Sequence, residues 1–110
     1  MYLLKRSFSS TPKKLLDGYL VIDASRIVVA SLSSLMLAEL GAKVIKVEMP
    51  GRGDDIRHWG PPFLDSSNGG KDSTYYMSLN RNKQSITVDL KHELGNQVIR
   101  DLITKSDIFL

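Results

Sequence analysis

The stretch Tyr19-Leu-Val-Ile-Asp23-Ala-Ser-Arg-Ile-Val-Val-Ala-Ser-Leu-Ser-Ser-Leu-Met-Leu-Ala-Glu-Leu40-Gly-Ala-Lys-Val-Ile-Lys-Val-Glu48 carries the fold. Its two ends, Tyr19–Asp23 and Lys43–Glu48, are compact apolar runs that close on an acid, and both read as strands. Between them Leu32, Leu35, Met36 and Leu40 recur at i, i+3, i+4 and i+8, the spacing of one helical face. Gly41 stands where a glycine ends a helix. The unit is therefore β-α-β, and a crossover of this kind sets its two strands parallel in one sheet.

Downstream, residues 49–74 hold Gly51, Gly53, Gly60, Gly69 and Gly70 with Pro50, Pro61 and Pro62, and show no sustained period. A connection of roughly 25 residues without elements of its own is unusual in a compact domain and tends to serve function. It leaves the end of a strand, where open α/β sheets meet their ligands. Order resumes at Thr74–Leu79, followed by a polar turn and then Ser85–Asp89, whose alternating Ile86 and Val88 predict a strand. Leu94, Val98, Leu102 and Ile103 predict a second amphipathic helix over roughly 92–105, which Gly95 weakens by about 1 kcal/mol relative to Ala. Asp107–Leu110 begins another strand.

A strand that stops inside its apolar run leaves sheet edges open and one helix face uncovered. The expectation is that these 110 residues are the front portion of a larger protein, inactive and poorly folded when isolated.

The net charge of +3 suggests an acidic partner such as nucleic acid until it is divided along the chain. Lys5, Arg6, Lys13 and Lys14 precede every acid, and from residue 15 onward eleven basic residues face twelve acidic ones. Residues 1–14, rich in Ser and free of acids, have the composition of a mitochondrial transit peptide, which predicts a matrix location. Residues 15–110 then form the body. Nucleic-acid binding loses its support once the leader is set aside, and the apolar runs are too short for a membrane span. The absence of cysteine excludes thiolate nucleophiles, zinc ribbons, iron-sulfur clusters and redox motifs.

Among residues that carry chemistry, Gly51-Arg-Gly53 offers backbone N–H groups to a phosphate or is a plain turn after Pro50. The glycines of a dinucleotide fingerprint belong directly after the first strand, and that position reads Ala24-Ser-Arg-Ile with none. Asp54 and Asp55, adjacent in a loop, read as solvated carboxylates, since no cluster of ligating residues accompanies them and no metal is expected. His58 has only His92 for company and makes neither a triad nor a metal site. Arg26, Arg52, Arg57, Arg81, Lys83 and Lys91 stand at strand ends or in loops, where an anionic ligand is met or where ordinary surface charge lies.

Several blocks in order carry a resemblance. Leu16-Asp-Gly18, Val21-Ile-Asp-Ala-Ser-Arg26, Leu40-Gly-Ala-Lys-Val-Ile-Lys-Val-Glu48, Gly53-Asp-Asp-Ile-Arg57, Trp59-Gly-Pro-Pro-Phe63 and Tyr75 to Lys91 resemble the class III coenzyme A transferases, from about Leu15 to Leu110. The resemblance implies an α/β chain, two partial Rossmann-like β-α-β units of an incomplete sheet, within an interlocked homodimer. It implies coenzyme A as the moving group, with an acyl-CoA and a carboxylic acid, here a dicarboxylic one, as partners. In such enzymes an aspartate carboxylate attacks the thioester and later carries CoA as an enzyme thioester. That Asp lies beyond residue 110 in the family pattern, so Asp54, Asp55 and Asp89 do not take its role.

What the resemblance assigns to this chain is part of the CoA-binding surface. It comprises Ile27, Val28 and Val29 after the first strand, Met49 after the second, and Val88, Asp89, Leu90 and Lys91. Lys91 suits a phosphate, and the backbone of Val88–Leu90 an adenine edge. Met49 stands where relatives carry an Arg, and Ala30-Ser31 where the family usually has Gly-Pro. The alternative reading is a non-catalytic α/β module that pairs with a full-length subunit.

Overall fold

The computed structural model describes residues 13–65 and 69–110, so the reading of 1–14 as a leader falls almost wholly outside the described residues. The elements run β1 (Leu20–Asp23), α1 (Val28–Glu39), β2 (Lys43–Glu48), a 3₁₀ turn (Asp55–His58), β3 (Phe63–Asp65), β4 (Lys71–Ser73), α2 (Thr74–Leu79), β5 (Lys83–Thr87), α3 (Glu93–Thr104) and β6 (Ile108–Phe109). Four strands form a parallel sheet in the order β5-β2-β1-β6. A separate antiparallel pair joins β3 to β4.

β1 is flanked on both sides and covered on both faces, which is why it reads as a continuous apolar run rather than an alternation. Val21 points to α1 with Val44, Ala38 and Ala42. Ile22 points to α3 with Val47 and Ile99, where Ile45, Ile86, Leu102 and Ile103 also pack. The helix between β1 and β2 ends as the sequence indicates. Gly41 takes φ 108°, its N–H donates to Ala38 O at 3.0 Å and the Ala42 N–H to Leu37 O at 3.0 Å, the paired bonds of a Schellman motif.

The faces of both helices differ from the expectation. α1 buries Ser31, Ser34, Leu35 and Ala38, while Leu32, Met36 and Leu40 stay exposed. A helix that is apolar nearly all round leaves its rotation undecided by pattern. The small side chains win the inner face because they let the helix approach the sheet and supply hydroxyls to buried charges. α3 likewise turns Ile99, Leu102 and Ile103 to the sheet and leaves Leu94 and Val98 exposed.

Two further expectations are corrected. The loop over 49–74 contains a 3₁₀ turn and the β3–β4 hairpin, both too short for a periodic signal. Asp54 caps the turn by accepting the Ile56 N–H, and Ser73 caps α2 by accepting that of Tyr76. The strand placed at Ser85–Asp89 runs instead from Lys83 to Thr87, in register from Val44↔Lys83 to Glu48↔Thr87. Beyond it the Val88 N–H still donates to Glu48 O at 2.9 Å, and the chain then turns away at Asp89, whose Oδ1 accepts the Lys91 N–H at 2.9 Å.

Candidate functional site

Three strands of the parallel sheet end at the same edge, and the segments that leave them enclose a cavity of about 400 Å³. Ala24, Ser25 and Arg26 follow β1; Val47 to Pro50 end and follow β2; Val88, Asp89, Leu90 and Lys91 follow β5; Gly53 and Asp54 close the far side. This is the position at which open α/β sheets hold ligands.

Of the residues expected at the site, Met49, Val88, Asp89, Leu90 and Lys91 line this one cavity. Ile27, Val28 and Val29 do not. They open α1 beside it, with Ile27 half exposed and Val29 exposed. Ile27 caps the helix with φ 67°, a left-handed conformation that a β-branched residue rarely adopts. Its N–H donates to Asp54 Oδ1 at 3.3 Å, so a carboxylate from the following loop stabilises that turn.

Asp54 is therefore not the solvated carboxylate of the sequence reading; it is 2% exposed. Its Oδ1 accepts the Ile27 and Ile56 N–H groups, and Oδ2 lies 2.8 Å from Lys46 Nζ as an ion pair outside hydrogen-bond angles. Lys46 is the signal that sequence reasoning passed over. A cation between Ile45 and Val47 in a strand covered on both faces must find buried partners. It finds Asp54, the carbonyl of Ser25 at 3.1 Å, Ser31 Oγ at 3.2 Å and, more distantly, Asp23 at 3.9 Å. Asp23 in turn accepts from Ser25 and Ser34 and pairs with Lys83 at 3.3 Å. Burial pushes the Asp23 carboxyl up, but its hydroxyl donors and the two ammonium groups overcome this and hold it below the ordinary value. Burial pulls Lys83 down despite Asp23. Two acids and two lysines leave the cluster formally neutral.

A second knot ties the loop to the same sheet edge. Arg57 grips Glu48 through Nε–Oε2 at 2.7 Å and Nη2–Oε1 at 2.8 Å, while the Tyr76 and Ser85 hydroxyls donate to Oε1 at 2.8 and 2.6 Å. Burial raises Glu48, yet these donors bring it down to about 2. Glu48 thus anchors the loop instead of presenting a free carboxylate. Gly53, at φ 71°, fits because a Cβ there meets Glu48 Oε2 at 2.8 Å and Arg57 Cδ at 2.7 Å.

These pairings separate the cations weighed from sequence. Arg26 and Arg52 bind Asp55, Arg57 binds Glu48, Arg81 faces Glu39, and Lys83 is buried against Asp23. Lys91, at the cavity rim, has no acidic partner among the described residues. His58 packs against the Arg52 carbonyl at 3.3 Å, and no group of three metal-ligating side chains occurs among the described residues. No helix among them is long and apolar enough to cross a membrane.

The chain is similar to characterised proteins over most of its length. It is 45% identical over 97 residues to the human succinyl-CoA:glutarate CoA-transferase, covering 88% of this chain and 21% of that protein. It is 43% identical over 96 residues to the succinate–glutarate CoA-transferase of Agrobacterium fabrum, covering 86% and 24%. Among solved structures, a CAIB/BAIF family protein from Brucella suis superposes with a TM-score of 0.83 at 41% identity, over 88% of this chain and 25% of that one. The chain thus spans about a fifth to a quarter of the length of these relatives. The model of CoA-transferase family III matches residues 16–110, nearly the whole of the described fold, and the chain belongs to that family.

Proposed function

We propose that this chain supplies the CoA-holding N-terminal part of an acyl-CoA:carboxylate CoA-transferase. The observation that carries the reading is the cavity at the ends of β1, β2 and β5, with Lys91 at its rim and without an acidic partner among the described residues. Lys91 is the group for a CoA phosphate. Met49, Val88 and Leu90 offer apolar contact, and the polar backbone of Val88–Leu90 faces the adenine edge. Ile27, Val28 and Val29 join the site if the ligand extends past Arg26 onto the first turn of α1.

The reaction in this reading is carboxylate exchange. An aspartate carboxylate, expected outside residues 1–110, attacks the donor thioester carbonyl and expels CoA thiolate. The thiolate attacks the aspartyl carbonyl of the anhydride, releasing the donor acid and leaving an aspartyl-CoA thioester. The acceptor carboxylate repeats the sequence in reverse and departs as its CoA ester. A dicarboxylic acceptor is supported by the names of the similar human and Agrobacterium fabrum enzymes, both of which pair succinate or its CoA ester with glutarate. An interlocked homodimer and a mitochondrial matrix location, the latter on the composition of residues 1–14, complete the proposal. The exposed Leu32 and Met36 on α1 also suit the second reading, a module that pairs with a full-length subunit.

The test is an exchange enzyme in which residues 16–110 replace the matching stretch of the Agrobacterium fabrum transferase. It is expected to bind CoA and move it between succinate and glutarate, while the 110-residue chain alone transfers none. Lys91→Ala is expected to weaken CoA binding about tenfold or more, the loss of one charge-assisted contact. Unchanged affinity in that variant removes Lys91 from the site.

A further inference from the structure

Gly95 lies in the first turn of α3, behind the cavity rather than in its lining. By helix propensity it is a poor choice, since Ala there strengthens the helix. The surroundings reverse that preference. A Cβ at Gly95 lies 1.9 Å from the Asp89 carbonyl oxygen, 2.8 Å from the Asp89 carbonyl carbon and 3.3 Å from Val88 Cγ1. Two of these three are backbone atoms, which cannot swing aside as the tip of a side chain does.

We infer that Gly95 is a positioning residue that sets the β5 wall of the cavity, and with it the place where Lys91 meets a phosphate. The wall is pinned on three sides. Val88 N–H donates to Glu48 O at 2.9 Å, Asp89 Oδ1 accepts the Lys91 N–H at 2.9 Å, and the Asp89 carbonyl accepts the His92 N–H at 3.2 Å. The His92 ring completes the junction by accepting the Leu94 N–H through Nδ1 at 3.2 Å. A methyl group on residue 95 drives the Asp89 carbonyl off α3, breaks its bond to His92 and displaces the segment that carries Leu90 and Lys91. The cavity therefore depends on a residue that never touches its occupant. The identity of that occupant as CoA rests on the function proposed above; the steric part does not.

The experiment compares Gly95→Ala with Gln97→Gly in the exchange enzyme. The second variant weakens α3 by propensity without approaching Asp89. Hydrogen exchange over residues 88–96 and titration with CoA are both measured. In Gly95→Ala the His92 amide is expected to exchange at least tenfold faster and CoA to bind at least tenfold more weakly, with β1 and β2 still protected. Gln97→Gly is expected to leave CoA affinity unchanged. Unchanged exchange at His92 in Gly95→Ala overturns the inference, and so does faster exchange with full CoA affinity. Loss of protection throughout β1 and β2 also overturns it, by making Gly95 a general folding requirement. If the parent enzyme binds no CoA, the CoA reading fails while the exchange measurement still decides whether Gly95 sets the wall.

Discussion

The two faces of the parallel sheet are built on opposite principles. On the α3 side Ile22, Val47 and Ile99 form an apolar cluster with Ile45, Ile86, Leu102 and Ile103. On the α1 side Val21, Val44, Ala38 and Ala42 form the apolar cluster, and Asp23, Lys46, Asp54 and Lys83 are buried beside it with the hydroxyls of Ser31 and Ser34. Apolar contact is non-directional and stabilises many arrangements about equally, whereas a buried carboxylate accepts only donors that arrive at set places. The apolar face holds the sheet together, and the charged face fixes where α1 begins and where the loop after β2 lies.

Breaking the charged face is the largest expected effect. Lys46→Met in the exchange enzyme leaves Asp54 and Asp23 short of a buried cation. It is expected to cost about 3–5 kcal/mol, read as a drop in the thermal unfolding midpoint. Adding Asp54→Asn to that variant recovers part of the loss, because the stranded charge is gone. A Lys46→Met protein as stable as its parent shows the cluster to be dispensable.

The second effect is a dependence on pH. Glu48 titrates at about 2 in the fold against an ordinary 4.5, so its contribution to stability is complete above pH 4.5 and is lost as pH falls from there toward 2. The loss is on the order of 3 kcal/mol across that window. Unfolding midpoints measured from pH 5 to pH 2 are expected to decline more steeply in the parent than in Glu48→Gln, and parallel declines contradict the assignment.

On the apolar face the effect is smaller and of another kind. Ile22→Val removes one methyl group from a fully buried side chain and is expected to cost about 1 kcal/mol with CoA affinity unchanged. A fall in affinity from this variant erases the distinction between the faces. Smallest of all is Arg81→Ala, which removes an exposed pair with Glu39 at 3.4 Å and is expected to shift stability by less than about 0.5 kcal/mol.

The α/β class, the parallel pairing of β1 with β2, the glycine that ends α1 and the extent of α3 were all legible in the sequence. The helix features depend on contacts within a few residues or on one period of the chain, and the parallel pairing follows from the handed crossover of a single β-α-β unit. The blocks that resemble class III CoA-transferases also pointed to the segments after β2 and β5, which do share a cavity. The rotation of α1 was not legible, because Leu32 and Met36 are as apolar as Leu35 and only the buried charges make Ser31 and Ser34 the better inner face.

The chain alone thus determined which elements form and in what order, since propensity, periodicity and turn chemistry act locally. Tertiary structure decided which charges are free. Arg26, Arg57, Lys83 and Lys91 look alike in a string, but three of them are paired with Asp55, Glu48 and Asp23, residues 29, 9 and 60 positions away. Gly95 is the same lesson in steric form. Its cost to a helix is written in the sequence, and the Asp89 carbonyl that leaves no room for a Cβ is set against it only by the folded turn between β5 and α3.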